Sequence, residues 1–194
     1  MAVSVSDYFS LTKPRVVVLL QITAICSVVV HDVLGPGLES GSVRTIAVVL
    51  VGGYLTAGGA NAINMWYDRD IDPKMSRTAN RAIPTGKVGP KSALAFGTGI
   101  SALGVSWFYY LSNSVAAFWS AFSVLFYVFV YSMWLKRSTP QNIVIGGIAG
   151  STPPVIGWAA SEDSLAISTD SVQSAIESVI DLGSLMPWFM FVLI

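Results

Sequence analysis

Asn64, Asp68 and Asp72 stand at i, i+4 and i+8 in "NAINMWYDRDIDPKMSRTANRAIP", residues 61–84, a stretch with seven charged side chains. On a helix of 3.6 residues per turn they share one face, drifting about 40° at each step. Three oxygen-bearing side chains, with no Cys or His beside them, suit a hard cation such as Mg2+. That ion commonly keeps waters and takes one or two carboxylates together with substrate phosphates. A diphosphate is the natural second partner. Lys74, Arg77 and Arg81 follow and could pair with the phosphate oxygens turned away from the metal, Arg in a bidentate manner, with Asn80 as a neutral donor. The plain alternative is a basic loop with acids interspersed as surface pairs. It is weaker for Asp68 and Asp72, because ionisable groups at the end of a Gly-rich apolar helix are costly and usually face a bundle interior or cavity.

The elements that must position these residues follow from composition. The chain has 194 residues, 53% of them hydrophobic and 11% charged, with a mean hydropathy of +0.64, which points to an integral membrane protein. Segments long enough to cross about 30 Å of hydrocarbon run from Val16 to Val33, Val43 to Ile63, Ser92 to Leu111, Val115 to Leu135 and Ile143 to Ala160. A sixth begins near Leu185 and reaches the last residue after about 15 Å of helix. The expected fold is therefore all-α: a polytopic membrane helix bundle of five full spans and a truncated sixth, with residues 1–194 as one C-terminally incomplete domain. Pro73 predicts that the second helix ends or kinks near Asp72. Glycines crowd "VGGYLTAGGANAIN" and "IGGIAGSTPPVIGWAA", so the second and fifth spans are expected inside the bundle.

Acids and bases are equal in number, so net charge says nothing about nucleic-acid or acidic partners, and no nucleic acid is expected as a partner. Their distribution is polarised. Ten of the eleven bases flank the spans on one side, whereas Arg44 and seven of the eleven acids lie on the other. The positive-inside rule makes the basic side cytoplasmic, with the N-terminus and the aspartate stretch there. The outer loop from Ser161 to Ser184 carries five acids and no base, with an amphipathic helix expected around Ser171 to Ile180. Cys26 is expected in packing, His31 at the outer interface, and Asn142 as a helix cap.

The segments "NMWYDRDID" and "RTANRAIP" resemble the first aspartate-rich motif of the UbiA superfamily of intramembrane prenyltransferases. "LTKPRVVVLLQITA", "LKRSTPQNIVIGGIAGSTPPVIGWAA" and "PWFMFVLI" are similar to its haem-modifying branch, over almost the whole chain. The resemblance implies transfer of a farnesyl group from farnesyl diphosphate to a vinyl carbon of protohaem IX, with water added, giving haem O. It implies Mg2+ at Asn64, Asp68 and Asp72 and diphosphate contacts from Lys74, Arg77, Arg81, Lys136 and Arg137. Trp66 and Tyr67 could touch substrate. It further implies the cell membrane, contact with the lipid bilayer, and association with haem A synthase. Family members carry a second aspartate-rich motif on another cytoplasmic loop. None occurs in these residues, and Asp163, Asp170 and Asp181 fall on the opposite side, so activity of this chain alone is not expected. A different acceptor (an aromatic acid, a lipid or a chlorin) and a non-catalytic membrane protein are the alternatives.

Overall fold

A computed structural model describes residues 4–194. Ser4 opens a capping box: its hydroxyl accepts the Asp7 N–H while Asp7 accepts the Ser4 N–H, satisfying two donors that a helix start leaves over. This starts the short α1 (Val5–Leu11). Five long helices follow: α2 (Pro14–Leu34), α3 (Ser40–Tyr67), α4 (Pro90–Leu111), α5 (Ser114–Ser138) and α6 (Asn142–Ser161). Each is long and apolar enough to cross a membrane. Two shorter ones, α7 (Val172–Ile180) and α8 (Met186–Leu193), complete the described residues, which contain no strand. The five expected spans thus stand, each extended by a few residues. The protein is a multi-pass membrane protein of all-helical class.

Helices α3 and α6 form the interior, as their glycines predict. Just over half of each apolar window is buried (56%), against 22–33% for α2, α4 and α5. A Cβ on Gly59 of α3 would overlap Ser101 Oγ of α4 and lie 2.6 Å from the Gly97 carbonyl oxygen. One on Gly157 of α6 would overlap the Ala24 carbonyl of α2. Hydrocarbon solvent offers no hydrophobic drive for helix association, so close backbone approach of this kind supplies the van der Waals contact that holds a bundle. The outward residues, among them Val18, Leu19, Ile22, Leu103 and Phe129, are large, apolar and exposed, as a lipid-facing surface requires.

Two interruptions of regular helix matter. Pro153 in α6 lacks the N–H that would bond to Ala149. The hydroxyls of Ser123 (3.3 Å) and Thr152 (2.8 Å) donate to that carbonyl instead. Within α5, Phe126–Leu135 is wound as a π-helix, and Ser132 Oγ donates to the Tyr127 carbonyl five residues back, at 2.8 Å. Such stretches are rare and are often found at functional sites.

The outer segment folds back on the bundle. Trp119 and Trp158 donate their indole N–H groups to the carbonyls of Val179 (2.9 Å) and Leu182 (3.2 Å), and Leu182 is fully buried. The amphipathic helix expected near Ser171 is α7, capped by Ser171. His31 sits at the same end, with ring nitrogens 2.7 Å from Asp32 and 3.4 Å from Glu162, edge-on to Trp158. Asn142 is the first residue of α6 and donates to the Thr139 carbonyl at 2.7 Å. It closes the preceding turn and does not cap the helix.

Candidate active site

Helix α3 ends at Tyr67, five residues before the position expected from Pro73. The chain continues through two 3-10 turns, Asp68–Asp70 and Asp72–Lys74. Asn64, Asp68 and Asp72 therefore do not line one continuous helix face. They remain together on the inside, because the tighter turns carry both carboxylates inward while Asp70 points out. Asp68 and Asp72 are 0% and 2% exposed and Asn64 is 2% exposed. Thr78, itself buried, donates to the Asp72 carbonyl at 2.8 Å and fixes the second turn.

Each inward oxygen group meets a cation from a different part of the chain. Lys136, at the end of α5, donates to Asp68 Oδ2. Arg81 directs Nη1 at both oxygens of Asp72, at 2.9 and 3.0 Å. Lys13 donates to Asn64 Oδ1 at 2.9 Å. Arg137 forks onto Asp70 at 2.7 and 2.9 Å, lies over the Tyr67 ring, and comes within 3.9 Å of Asp68. Two expected phosphate ligands stand apart: Lys74 and Arg77 are exposed on the loop and pair with none of these carboxylates. Trp66 lies beneath the guanidinium of Arg69, and Tyr67 donates to the Met133 carbonyl at 3.1 Å.

Lys13 is the residue that spacing missed. In sequence it is one of two bases before the first span and reads as a topological anchor. In the fold it lies between α1 and α2 with φ of 51°, a left-handed conformation that costs a non-glycine residue about 1 kcal/mol. That turn sends its ammonium inward. Burial, then the nearby charges of Arg81 and Lys136, lower its pKa from 10.5 to about 8, against the opposing pull of Asp68 and Asp72. Only its place before Pro14, which restricts the preceding residue, hinted at an unusual backbone.

Asn64 joins the pieces. Its Nδ2 donates to Ser132 Oγ of the π-helical segment at 3.0 Å, so its carbonyl oxygen must face Lys13. One turn earlier, Asn61 donates to the Thr12 carbonyl at 3.1 Å and accepts from Tyr127 at 3.4 Å. Beside Asn61 begins a cavity of about 310 Å³ between α2, α3, α5 and α6, with Phe108 of α4 in its wall beside Val16, Leu20, Val49 and Ile156. The arrangement is a polar end rich in paired charge, one helical turn along α3 from Asn61 in the wall of an apolar chamber.

No three His, Cys, Asp or Glu side chains come together among the described residues, so the protein offers a cation two carboxylates and an amide. Asp68 Oδ1 is buried without a hydrogen-bond partner, and Asn64 Oδ1 has a second lone pair. That donor set fits Mg2+, which fills its remaining positions with water and phosphate oxygen.

The model of the UbiA prenyltransferase family matches residues 21–194. The chain is 47% identical to a Gluconacetobacter diazotrophicus protein named protoheme IX farnesyltransferase over 161 residues, covering 83% of this chain and 49% of the relative. Proteins of the same name from Sinorhizobium fredii and Acidiphilium cryptum are each 51% identical, covering 80% and 79% of this chain and 47% of either relative. The chain thus spans about half the length of the curated relatives it matches. No solved structure matches it. With the buried aspartate pair, its matching cations and the all-helical membrane bundle in place, the chain belongs to the UbiA prenyltransferase family.

Proposed function

We propose that this chain carries the prenyl-diphosphate site of a protoheme IX farnesyltransferase, which moves the farnesyl group of farnesyl diphosphate to a vinyl group of protohaem IX and, with water, forms haem O. The observation that carries this reading is the pairing of Asp68 and Asp72, both fully inside, with Lys136 and Arg81, at the end of the helix whose Asn61 lines an apolar chamber. The relatives' name supplies the acceptor.

Bound Mg2+ would draw negative charge from the diphosphate as the allylic carbon–oxygen bond breaks, with Asn64, Asp68 and Asp72 as the groups that would hold it. The protein's own cations do the rest. Lys13, Arg81 and Lys136 come from three separate segments and converge on one place, where they stabilise the diphosphate more strongly as it gains negative charge on leaving than while it is still esterified. Lys74 and Arg77, exposed on the adjoining loop, are suited to draw the anion in. Arg137 holds the end of α5 against Asp70 and lies near enough to Asp68 to join the cluster. The apolar chamber takes the hydrocarbon and keeps bulk water from the allylic cation. The bias of ten bases to this side supports a position at the cytoplasmic face of the cell membrane.

The test is haem product analysis in membranes expressing the complete reading frame that carries this chain, supplied with protohaem, farnesyl diphosphate and Mg2+. Haem O is the expected product. Farnesylation of an added phenol, lipid or chlorin in place of haem would refute the acceptor while retaining the site.

A further inference from the structure

Helix α7 takes no part in the site at the aspartate end. It belongs to the segment from Ser161 to Ser184, which carries five acids and no base, at the end of the bundle opposite Asp68 and Asp72. At about 100° per residue, Ala175, Val179, Val172, Ile176 and Ile180 fall on one arc of α7, and Gln173, Glu177, Ser174 and Ser178 on the other. The fold divides the apolar arc in two. Val179 is buried and Ala175 beside it is half-buried, whereas Val172, Ile176 and Ile180, at i, i+4 and i+8, are 80%, 52% and 53% exposed. The polar arc is divided as well. The hydroxyls of Ser174 and Ser178 meet Ser168 of the preceding loop at 3.0 and 3.2 Å, while Gln173 donates to Glu177 at 2.9 Å on the exposed side. Around the helix, the bundle therefore lies on one side and Gln173 with Glu177 on the opposite one. The loop lies on a third side, and the bare apolar strip faces away from it.

The depth of this strip follows from what α7 hangs on. Trp119 of α5 donates its indole N–H to the Val179 carbonyl at 2.9 Å, and Trp188 of α8 donates to that of Ile180 at 3.1 Å. The two rings meet edge to face, 5.3 Å apart. From Ser114, the first residue of α5, to Trp119 the axis rises about 7 Å. The 25 residues of α5 make about 35 Å of helix against about 30 Å of hydrocarbon, so its ends project only a little. Both indoles therefore stand at the boundary of headgroups and acyl chains, the level at which tryptophan collects, and they fix the end of α7 there. Phe118 beside Trp119, and Leu185 and Phe189 close to Trp188 in the chain, are apolar and exposed at the same level. We infer that α7 is an interfacial helix, lying in the plane of the leaflet remote from the aspartates with Val172, Ile176 and Ile180 sunk among the acyl chains. Helices of this kind often add Lys and Arg that attract anionic lipid. The segment of α7 has acids and no base, so it holds to lipid by apolar burial and suits zwitterionic headgroups. Gln173 and Glu177 stay wet at headgroup level.

The experiment is spin-label accessibility in the complete protein, in phosphatidylcholine nanodiscs and a Cys26→Ala background. Single labels are attached in Val172→Cys, Ile176→Cys and Glu177→Cys. All three positions are exposed, so the substitutions leave the core untouched. Each label is relaxed by oxygen, which concentrates among acyl chains, and by a neutral nickel chelate, which stays in water. Relaxation by oxygen is expected to exceed that by nickel in Val172→Cys and Ile176→Cys, with the reverse order in Glu177→Cys. The pattern is expected to persist in high salt, because no attraction between charges maintains it. Nickel in excess at both apolar positions would put the strip in water and overturn the inference. Poor access for both reagents at those positions would show protein over them, whether the rest of the complete chain or a second copy, and would overturn it equally.

Discussion

Lys13 shows how a single residue can serve the site at the expense of the fold. Its ammonium is buried beside Arg81 and Lys136, and burial pulls its pKa down to about 8. A base with a folded pKa below its unfolded 10.5 leaves the unfolded chain with more protons bound between those values. Stability of the ligand-free protein therefore rises with pH across that window and is lowest below pH 8, where the buried charge is complete. Lys13→Met keeps the stem and removes the charge. It is expected to weaken farnesyl diphosphate binding by about tenfold, the worth of one charge-assisted contact, without lowering the thermal midpoint of the ligand-free protein, and to flatten the stability rise between pH 8 and 10.5. Thermal melts at several pH values, alongside binding, check both halves. Asp68→Ala removes the partner of Lys136 and the carboxylate with the free oxygen. Turnover is expected to fall by at least about a hundredfold while membrane insertion is unchanged. A retained rate would remove Asp68 from the metal site.

Among the elements, the π-helical run of α5 decides whether cations from a distant segment reach the aspartates. Deleting one residue between Tyr127 and Ser132 rotates everything after it by about 100° and turns Lys136 and Arg137 away from Asp68 and Asp70. The expected result is a full-length, inserted protein without turnover. Tightness between helices is the second requirement. Gly59→Val would drive a branched side chain into Ser101 and the Gly97 backbone, costing about 1–3 kcal/mol through forced separation of α3 and α4. Loss of monodispersity in detergent gel filtration is the readout.

For the molecule as a whole, hydropathy and charge bias made the five spans legible to within a few residues, and the Asn64, Asp68 and Asp72 spacing picked out three side chains that the fold buries at one end of α3. Local geometry was hidden. A helix period of 3.6 put the three oxygens on one face, whereas α3 ends at Tyr67 and the carboxylates arrive through 3-10 turns. Such turns leave no hydrophobic period to read. The inward course of Lys13 depends on one positive φ value, and the pairing of Arg81 with Asp72 depends on the course of a loop that has no hydrophobic period. Neither is a property of residue type. Orientation across the membrane is a matter of the whole chain's charge. In a Cys26→Ala background, Ser168→Cys is expected to react with a membrane-impermeant thiol reagent in intact cells, and Lys87→Cys only after permeabilisation. The reverse pattern would invert the topology.

The central claim is that the polar end formed by Asn64, Asp68 and Asp72 with Lys13, Arg81 and Lys136 holds Mg2+ and a prenyl diphosphate. Equilibrium binding of labelled farnesyl diphosphate to the complete protein in lipid nanodiscs, with Mg2+ or with a chelator, tests it most directly. The account predicts binding that requires Mg2+ and is lost in Asp68→Ala and Asp72→Ala. Equal binding with chelator and in both variants would contradict it.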